Sequence, residues 1–344
     1  MKKVVIDRYI PYEGEPFDGI AQTVRLDPSQ ITSESVRDAD ALIVRTRTKC
    51  GPGLLDGSKV SIVATATIGT DHLDFPWLDA HGITAVSAPG CNAPAVAQYV
   101  LASIFAVGLG QPGMRLGIVG LGHVGSIVAS WAGNLGIEIL ACDPPRERRD
   151  KGWDAASPFN AGDMPFVSLG EIGRKADVVT FHTPLTMSGG DRTYHMLDRE
   201  FIGLADKAMV INAARGPVAD TREFIKGLRR GVIDKVAVDC WEGEPQISTE
   251  LLRLAEISTP HIAGYSIEGK KRATAMTFNA VLRHLGSERR IDPGVAMTPP
   301  AAVSREEIIA SYDPLSDSLP LKSDPQAFEH LRNTYNLRHE PATK

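Results

Sequence analysis

Cysteine is scarce in this 344-residue sequence: Cys50, Cys91, Cys142 and Cys240 are its four cysteines, widely spaced. None forms a C-x-x-C pair, and none stands near histidine at zinc-ligand spacing. A disulfide framework and a metal centre are therefore not expected, and the thiols read as reduced. Long blocks of like charge are also missing. The net charge of −5 comes from interleaved acids and bases, which gives no electrostatic ground for a nucleic-acid or membrane partner. The apolar run in "MKKVVIDRYIPYEGE" is too short for a signal peptide. The longest apolar stretch, "APAVAQYVLASIFAVGLG", carries Gln98 and falls short of a comfortable membrane span. A buried helix in a soluble, cytoplasmic protein is expected. Tandem repeats and low-complexity tracts are absent as well.

What is present is a rhythm. β-Branched runs ("KVVID", "ALIVR", "SIVATA", "ITAVSA") alternate with helix-like pieces such as "SESVRDAD" and "DFPWLDAHG", the pattern of βα units on a parallel sheet. A long helix from about Ala93 to Val107 follows, then the break "GLGQPGM", a candidate boundary. A second series runs through "RLGIV", "EILAC", "ADVVTFH", "AMVINAA" and "KVAVDC" to the loop "TPHIAGY". Two consecutive doubly wound α/β units are expected, with a cleft between them. Residues 266 to 286 read as a helix returning to the first unit, and the Pro- and charge-rich remainder as an arm or small accessory domain.

Gly120, Gly122 and Gly125 stand as G-x-G-x-x-G between a strand and a helix. Gly120 permits the tight turn, Gly122 lets a pyrophosphate approach the backbone, and Gly125 lets the helix pack on the strand. His123 and Val124, between them, are expected cofactor contacts too. Asp143, at the end of the next strand, can accept hydrogen bonds from an adenosine ribose and repels a 2′-phosphate, which favours NAD over NADP, although Arg146, Arg148 and Arg149 follow closely.

Hydride transfer between a nicotinamide and a hydroxy acid needs a cation for the carboxylate, an acid/base for the hydroxyl proton and a group that tunes it. "INAARG" places Arg215 after a strand, "VDCWEGEP" places Asp239 and Glu244 after the next, and "TPHIAGY" then places His261. Singly, each has a bland explanation: a surface charge for Arg215, a solvated carboxylate like Glu242 for Glu244, a structural imidazole for His261. Their common position at strand ends of a dinucleotide unit argues for chemistry.

With the glycine fingerprint, "FHTPLT", "NAARG", "VDCWEGEP" and "TPHIAGY", the sequence up to about residue 286 resembles the D-isomer-specific 2-hydroxyacid dehydrogenases. The resemblance implies a flavodoxin-like substrate-binding domain over 1–92 and 267–286, a Rossmann NAD-binding domain over 93–266, and a C-terminal arm or abbreviated dimerisation domain over 287–344. It implies Arg215 as the carboxylate-binding residue, Glu244 as the partner of the histidine and His261 as the general acid/base. Asp239 would face the nicotinamide side, while Thr183, Ala213, Ala214, Arg215 and Gly264 would line the cofactor. "DADALIVRTRTK", "ATATIGTDHLD", "APGCNAPAVAQYV", "CDPPR", "HIAGYSIEGK" and "FEHLRNTYNLRHE" resemble a subgroup that acts on a small phosphorylated 2-hydroxy acid as a homodimer. That implies Thr46, Thr67 and Tyr265 as substrate contacts. The alternatives are another 2-hydroxyacid dehydrogenase sharing the same three catalytic residues, and an NAD(H)-sensing interaction protein without catalysis.

Overall fold

The computed structural model describes residues 1–150, 166–206 and 208–341. They fall into two compact units, Met1–Asn92 with Ser266–Thr298, and Ala93–Tyr265 with Pro299–Lys344.

Unit 1 is built on five parallel strands: β1 (Lys2–Asp7), β2 (Ala21–Leu26), β3 (Ala41–Val44), β4 (Ile62–Thr65) and β5 (Thr84–Val86). Their order, β2-β1-β3-β4-β5, is that of flavodoxin-like sheets. β3 and β4 are buried at every position, as expected of central parallel strands covered on both faces. Edge strand β2 was absent from the sequence expectation. Its residues "AQTVRL" are largely solvent-touched and only loosely alternating, so it lacks the apolar run that marks its neighbours. The helix Ile267–His284 packs Phe278 against Tyr12 and Phe17, with ring centroids 4.9 and 5.3 Å away.

Unit 2 carries β6 (Arg115–Val119), β7 (Glu138–Cys142), β8 (Val178–Phe181), β9 (Ala208–Asn212), β10 (Ile233–Val238) and β11 (Ile257–Ser258), again all parallel. They run in the order β11-β10-β9-β8-β6-β7. A parallel bridge from Ala141 to Phe166 adds a chain outside β7, which completes the Rossmann order 3-2-1-4-5-6 with a further strand at the far edge.

The division falls at Asn92, ahead of the long helix. The helix Ala93–Ala106 is buried at every position but its last and shares a core with Trp131, Leu116 and Ile118. Residues 287–344, set apart from the sequence as one arm, are divided: 287–298 stay with unit 1 and 299–344 with unit 2. The physical reason is a set of buried polar groups in unit 2 that this segment satisfies. The Gln98 amide donates to Ser311 Oγ and the His339 carbonyl at 2.8 and 2.9 Å, and Trp131 Nε1 donates to the Pro300 carbonyl at 2.8 Å. Ser258 N–H, at the sheet's edge strand, donates to Ser318 Oγ at 2.9 Å. Left unmade inside a core, each such bond would cost about 1–3 kcal/mol. No helix among the described residues is long and apolar enough to cross a membrane.

The returning helix is held to unit 1 chiefly by its fully buried Phe278. Phe278→Ala should lower stability by about 3–5 kcal/mol, read as a lower denaturant midpoint for a signal from unit 1. An unchanged midpoint would mean that the helix is an accessory to that core.

Candidate active site

Because every strand of unit 2 runs the same way, the loops after β6 to β11 emerge at one end of its sheet. The first holds the glycine turn. Gly120 has φ +92°, and a Cβ there would lie 2.9 Å from the His182 backbone. A Cβ on Gly125 would come within 2.0 Å of the Gly120 carbonyl oxygen. Both positions are thus closed to side chains by the protein itself. Gly122, which precedes the helix His123–Asn134, is different: a Cβ there would meet nothing within 4 Å. Its bareness leaves open space at the helix N-terminus, as a closely approaching anion requires. His123 and Val124 begin that helix beside the turn.

Asp143 follows β7 and accepts from Leu121 N–H at 2.8 Å and Arg146 N–H at 3.0 Å. Of the three nearby arginines, Arg146 donates to the Leu121 carbonyl and Arg148 pairs with Asp191; the side chain of Arg149 lies outside the described residues. Thr183, after β8, has a buried hydroxyl with no hydrogen-bond partner among the described residues, a vacancy that suits a cofactor amide or phosphate group. Its neighbour His182 is held neutral, pushed down to about 3 by burial.

After β9 come Ala213, Ala214 and Arg215. Gly216 has no room for a side chain, since a Cβ would sit 1.9 Å from the Trp241 carbonyl oxygen. This close approach sets the Arg215 loop against the loop after β10. Arg215 donates to the Ala214 carbonyl at 2.8 Å and is half-buried.

Asp239 ends β10 with a buried carboxylate that accepts from the Thr259 hydroxyl and Ile262 N–H, both at 2.7 Å, and from Ala263 N–H at 3.0 Å. Burial pushes its carboxyl up, against the pull of His261 and these donors. The expectation had Asp239 on the nicotinamide side; here its oxygens are committed to the His261 loop. His261 N–H donates to the Asp239 carbonyl at 3.0 Å, and His261 itself sits at φ +58°, a backbone region that non-glycine residues rarely occupy without outside support.

The His261 ring meets Glu244: Nδ1 is 2.8 Å from Oε2, while Oε1 accepts Trp241 N–H at 2.7 Å. Burial opposes charge on the imidazole, yet the adjoining Cys240 and Glu244 raise it well above the ordinary histidine value. Glu244 moves the other way: burial opposes its ionisation, but the His261 partnership, the Trp241 N–H and Arg332 hold it below the usual range. The pair is arranged to share one proton, with Nδ1 committed to the carboxylate.

In space Cys240 joins Glu244 and His261, with one ligand-type atom of each within 4.8 Å of the others, a proximity that cysteine and histidine spacing in the sequence did not suggest. Burial keeps the thiol of Cys240 protonated, raised above its usual range. Gly264 and Tyr265 complete the loop. The Tyr265 hydroxyl accepts from Arg332 Nε at 3.3 Å, and Arg332 Nη1 lies 3.9 Å from Glu244 Oε2. Neither Arg332 nor the buried Arg338, which donates to the carbonyls of Ile262, Ala263 and Tyr265, was expected at the site. Their only trace in the sequence is the basic spacing of "FEHLRNTYNLRHE". Glu242, expected to be solvated, is instead 2.7 Å from His195 Nε2.

In unit 1, Thr46 and Thr67 follow the neighbouring strands β3 and β4 at one end of that sheet. Thr46 is exposed, whereas the Thr67 hydroxyl donates to the Gly69 carbonyl at 3.0 Å.

Known proteins resemble this arrangement. Residues 103–263 match the family model described as D-isomer specific 2-hydroxyacid dehydrogenase, NAD binding domain. Erythronate-4-phosphate dehydrogenases of Bacteroides fragilis and Edwardsiella ictaluri are 43% and 38% identical, over 98% of this chain and 97% and 92% of theirs. Among solved structures, the TT0316 protein of Thermus thermophilus superposes with a TM-score of 0.67 at 25% identity, over 83% of this chain and 98% of that one. The holo form of Rhodotorula graminis D-mandelate dehydrogenase reaches 0.70 at 20% identity over 85% and 99%, a likeness of fold.

The three glycines separate cofactor binding from folding. Gly122→Ala should leave the melting temperature in place while weakening NADH binding roughly tenfold or more. Gly125→Ala should cost about 1–3 kcal/mol or more of stability. Unaltered NADH affinity in folded Gly122→Ala would remove the pyrophosphate from this turn.

Proposed function

The chain belongs to the D-isomer-specific 2-hydroxyacid dehydrogenases, and we propose that it oxidises 4-phospho-D-erythronate to 2-oxo-3-hydroxy-4-phosphobutanoate, a step of pyridoxal 5′-phosphate biosynthesis. It is an oxidoreductase with an NAD-type cofactor. The observation that carries the reading is the 2.8 Å pairing of His261 Nδ1 with Glu244, together with relatives of that name aligned along 98% of the chain.

NAD, when bound, supplies the hydride acceptor. Asp143 favours NAD over its 2′-phosphorylated form, because a carboxylate at the ribose repels a phosphate, and Arg146 and Arg148 are engaged elsewhere. His261 takes the C2 hydroxyl proton on Nε2, and Glu244 stabilises the imidazolium that forms. Arg215 holds the substrate carboxylate through its planar pair of donors. Thr46, Thr67 and Tyr265 are assigned to the remainder of the substrate, Tyr265 being already oriented by Arg332. A cytoplasmic homodimer is part of the same proposal, drawn from likeness to the subgroup.

Oxidation needs neutral His261, so its rate should rise with pH through the pKa of this group. Since that value is raised, the midpoint is expected above the ordinary 6.5 or so of histidine, and reduction of the oxo acid should show the opposite limb. A profile flat from acid to alkaline pH would contradict proton transfer by His261.

The direct test follows NADH absorbance with a panel of acids, including a parallel run with a 2-oxo acid as second hydride acceptor. 4-Phospho-D-erythronate should lead in kcat/KM, well ahead of 3-phosphoglycerate. His261→Ala should lower kcat by roughly 10²–10⁴ with NADH affinity retained. Absence of turnover in any run, with NADH still bound, would sink the enzymatic reading in favour of a sensor.

A further inference from the structure

The proton-transfer pair has a third charged neighbour that comes from the far end of the chain. Arg332 lies on the helix Phe328–Asn333, with its side chain one-fifth exposed. Its Nη1 stands 3.9 Å from Glu244 Oε2, the same oxygen that meets His261 Nδ1, and its Nε donates to the Tyr265 hydroxyl at 3.3 Å. Glu329, one turn back on the helix, is 3.9 Å away. The guanidinium therefore lies near the carboxylate partner of His261 and bonds the tyrosine four residues further along the same loop.

We propose that Arg332 is a positioning residue for proton transfer, fixing Glu244 and Tyr265 and opposing the charging of His261. The proposal rests on His261 being the acid/base. Its physical logic is one of balance. A histidine bonded to a buried carboxylate gains affinity for a proton, and a base bound too firmly to a proton cannot accept one from a substrate at working pH. Among the described residues, the other groups that meet His261 do not supply a counterweight. Glu244 and Asp239 are carboxylates, and burial keeps the Cys240 thiol protonated. Arg338 spends its donors on backbone carbonyls of the loop and on Gln98 and Ala95. Arg215, from the loop after β9, is the cation assigned to the substrate carboxylate, whose charge it offsets. That leaves Arg332 as the cation in reach of Glu244 whose charge no bound substrate is assigned to cancel.

The test is the titration of the His261 ring followed by NMR in the NADH-bound full-length chain, in wild type, Arg332→Gln and Arg332→Lys, beside the pH profile of kcat/KM for oxidation. Removing the cation stabilises the imidazolium. In Arg332→Gln the His261 titration and the acid limb should therefore move together to higher pH, by roughly half a unit to one unit. Arg332→Lys, which restores the charge without the forked donors, should return most of that shift. NADH affinity should stay within about twofold in all three, because Arg332 touches nothing in the glycine turn. The proposal is overturned by a His261 titration that is the same in Arg332→Gln as in wild type, and equally by a fall in kcat with the limb unmoved, which would make Arg332 a mere support. Because the NMR titration needs no substrate, a moved titration without turnover on any acid would sink the proposed reaction and the positioning role in proton transfer with it, leaving only the charge coupling between Arg332 and His261. Melting temperatures check that the half-buried side chain was replaced without unfolding.

Discussion

A single buried carboxylate organises the catalytic end of unit 2. Asp239 is 1% exposed, a location where an isolated charge would cost several kcal/mol. The structure offsets that cost with the nearby charge of His261 and with three donors: the Thr259 hydroxyl, Ile262 N–H and Ala263 N–H. Because two of the three donors are backbone amides of the loop after β11, satisfying the charge and shaping the loop are the same event. The bond from His261 N–H to the Asp239 carbonyl then carries His261 into its left-handed conformation. Thr259 extends the network to Tyr99, whose hydroxyl is 3.0 Å from its own. The long apolar helix and the catalytic loop thus share one polar anchor.

The electrostatics follow from which groups that anchor leaves free to titrate. Tyr99 and His182 are buried and driven away from their charged forms, Tyr99 far up and His182 far down. Asp239 is saturated with donors. The pair left to exchange a proton near working pH is His261 with Glu244, and its two members are displaced in opposite directions, as an ion pair requires. A site with one mobile proton among several silent titratable groups is what general acid/base chemistry needs.

Much of this was legible in the residues. Continuous apolar runs such as "ALIV" and "AMVIN" mark central parallel strands because both faces are covered, and each of the three glycines has a separate steric reason that spacing alone announced. What escaped notice has a common physical character. β2 is an edge strand whose partly exposed side chains follow no strict period. β11 is two residues long, below the reach of any pattern. Asp239 could be placed after its strand, but a carboxylate reads the same whether it faces a cofactor or the backbone of a loop some twenty residues on. Glu242 looked like a solvated twin of Glu244, and only the fold brings His195 to it. Contacts between residues distant in sequence carry no local signature.

The C-terminal segment is the clearest instance, and it changes what the catalytic unit is. A charge- and proline-rich stretch has too little apolar surface to announce a core, so composition sets it apart as an appendage. Its polar atoms nonetheless complete the core of unit 2. Arg338, 9% exposed, spreads its guanidinium over carbonyls of Ala95, Ile262, Ala263 and Tyr265 and over Gln98, so that carbonyls left over by the Asp239 network on one side of the loop are met from the other. A buried guanidinium persists only where it is so fully bonded. The loop that holds His261 is therefore clamped between an anion from β10, which takes its N–H groups, and a cation from the C-terminus, which takes its carbonyls. Through these bonds residues 299–341 contribute to the catalytic unit rather than standing beside it.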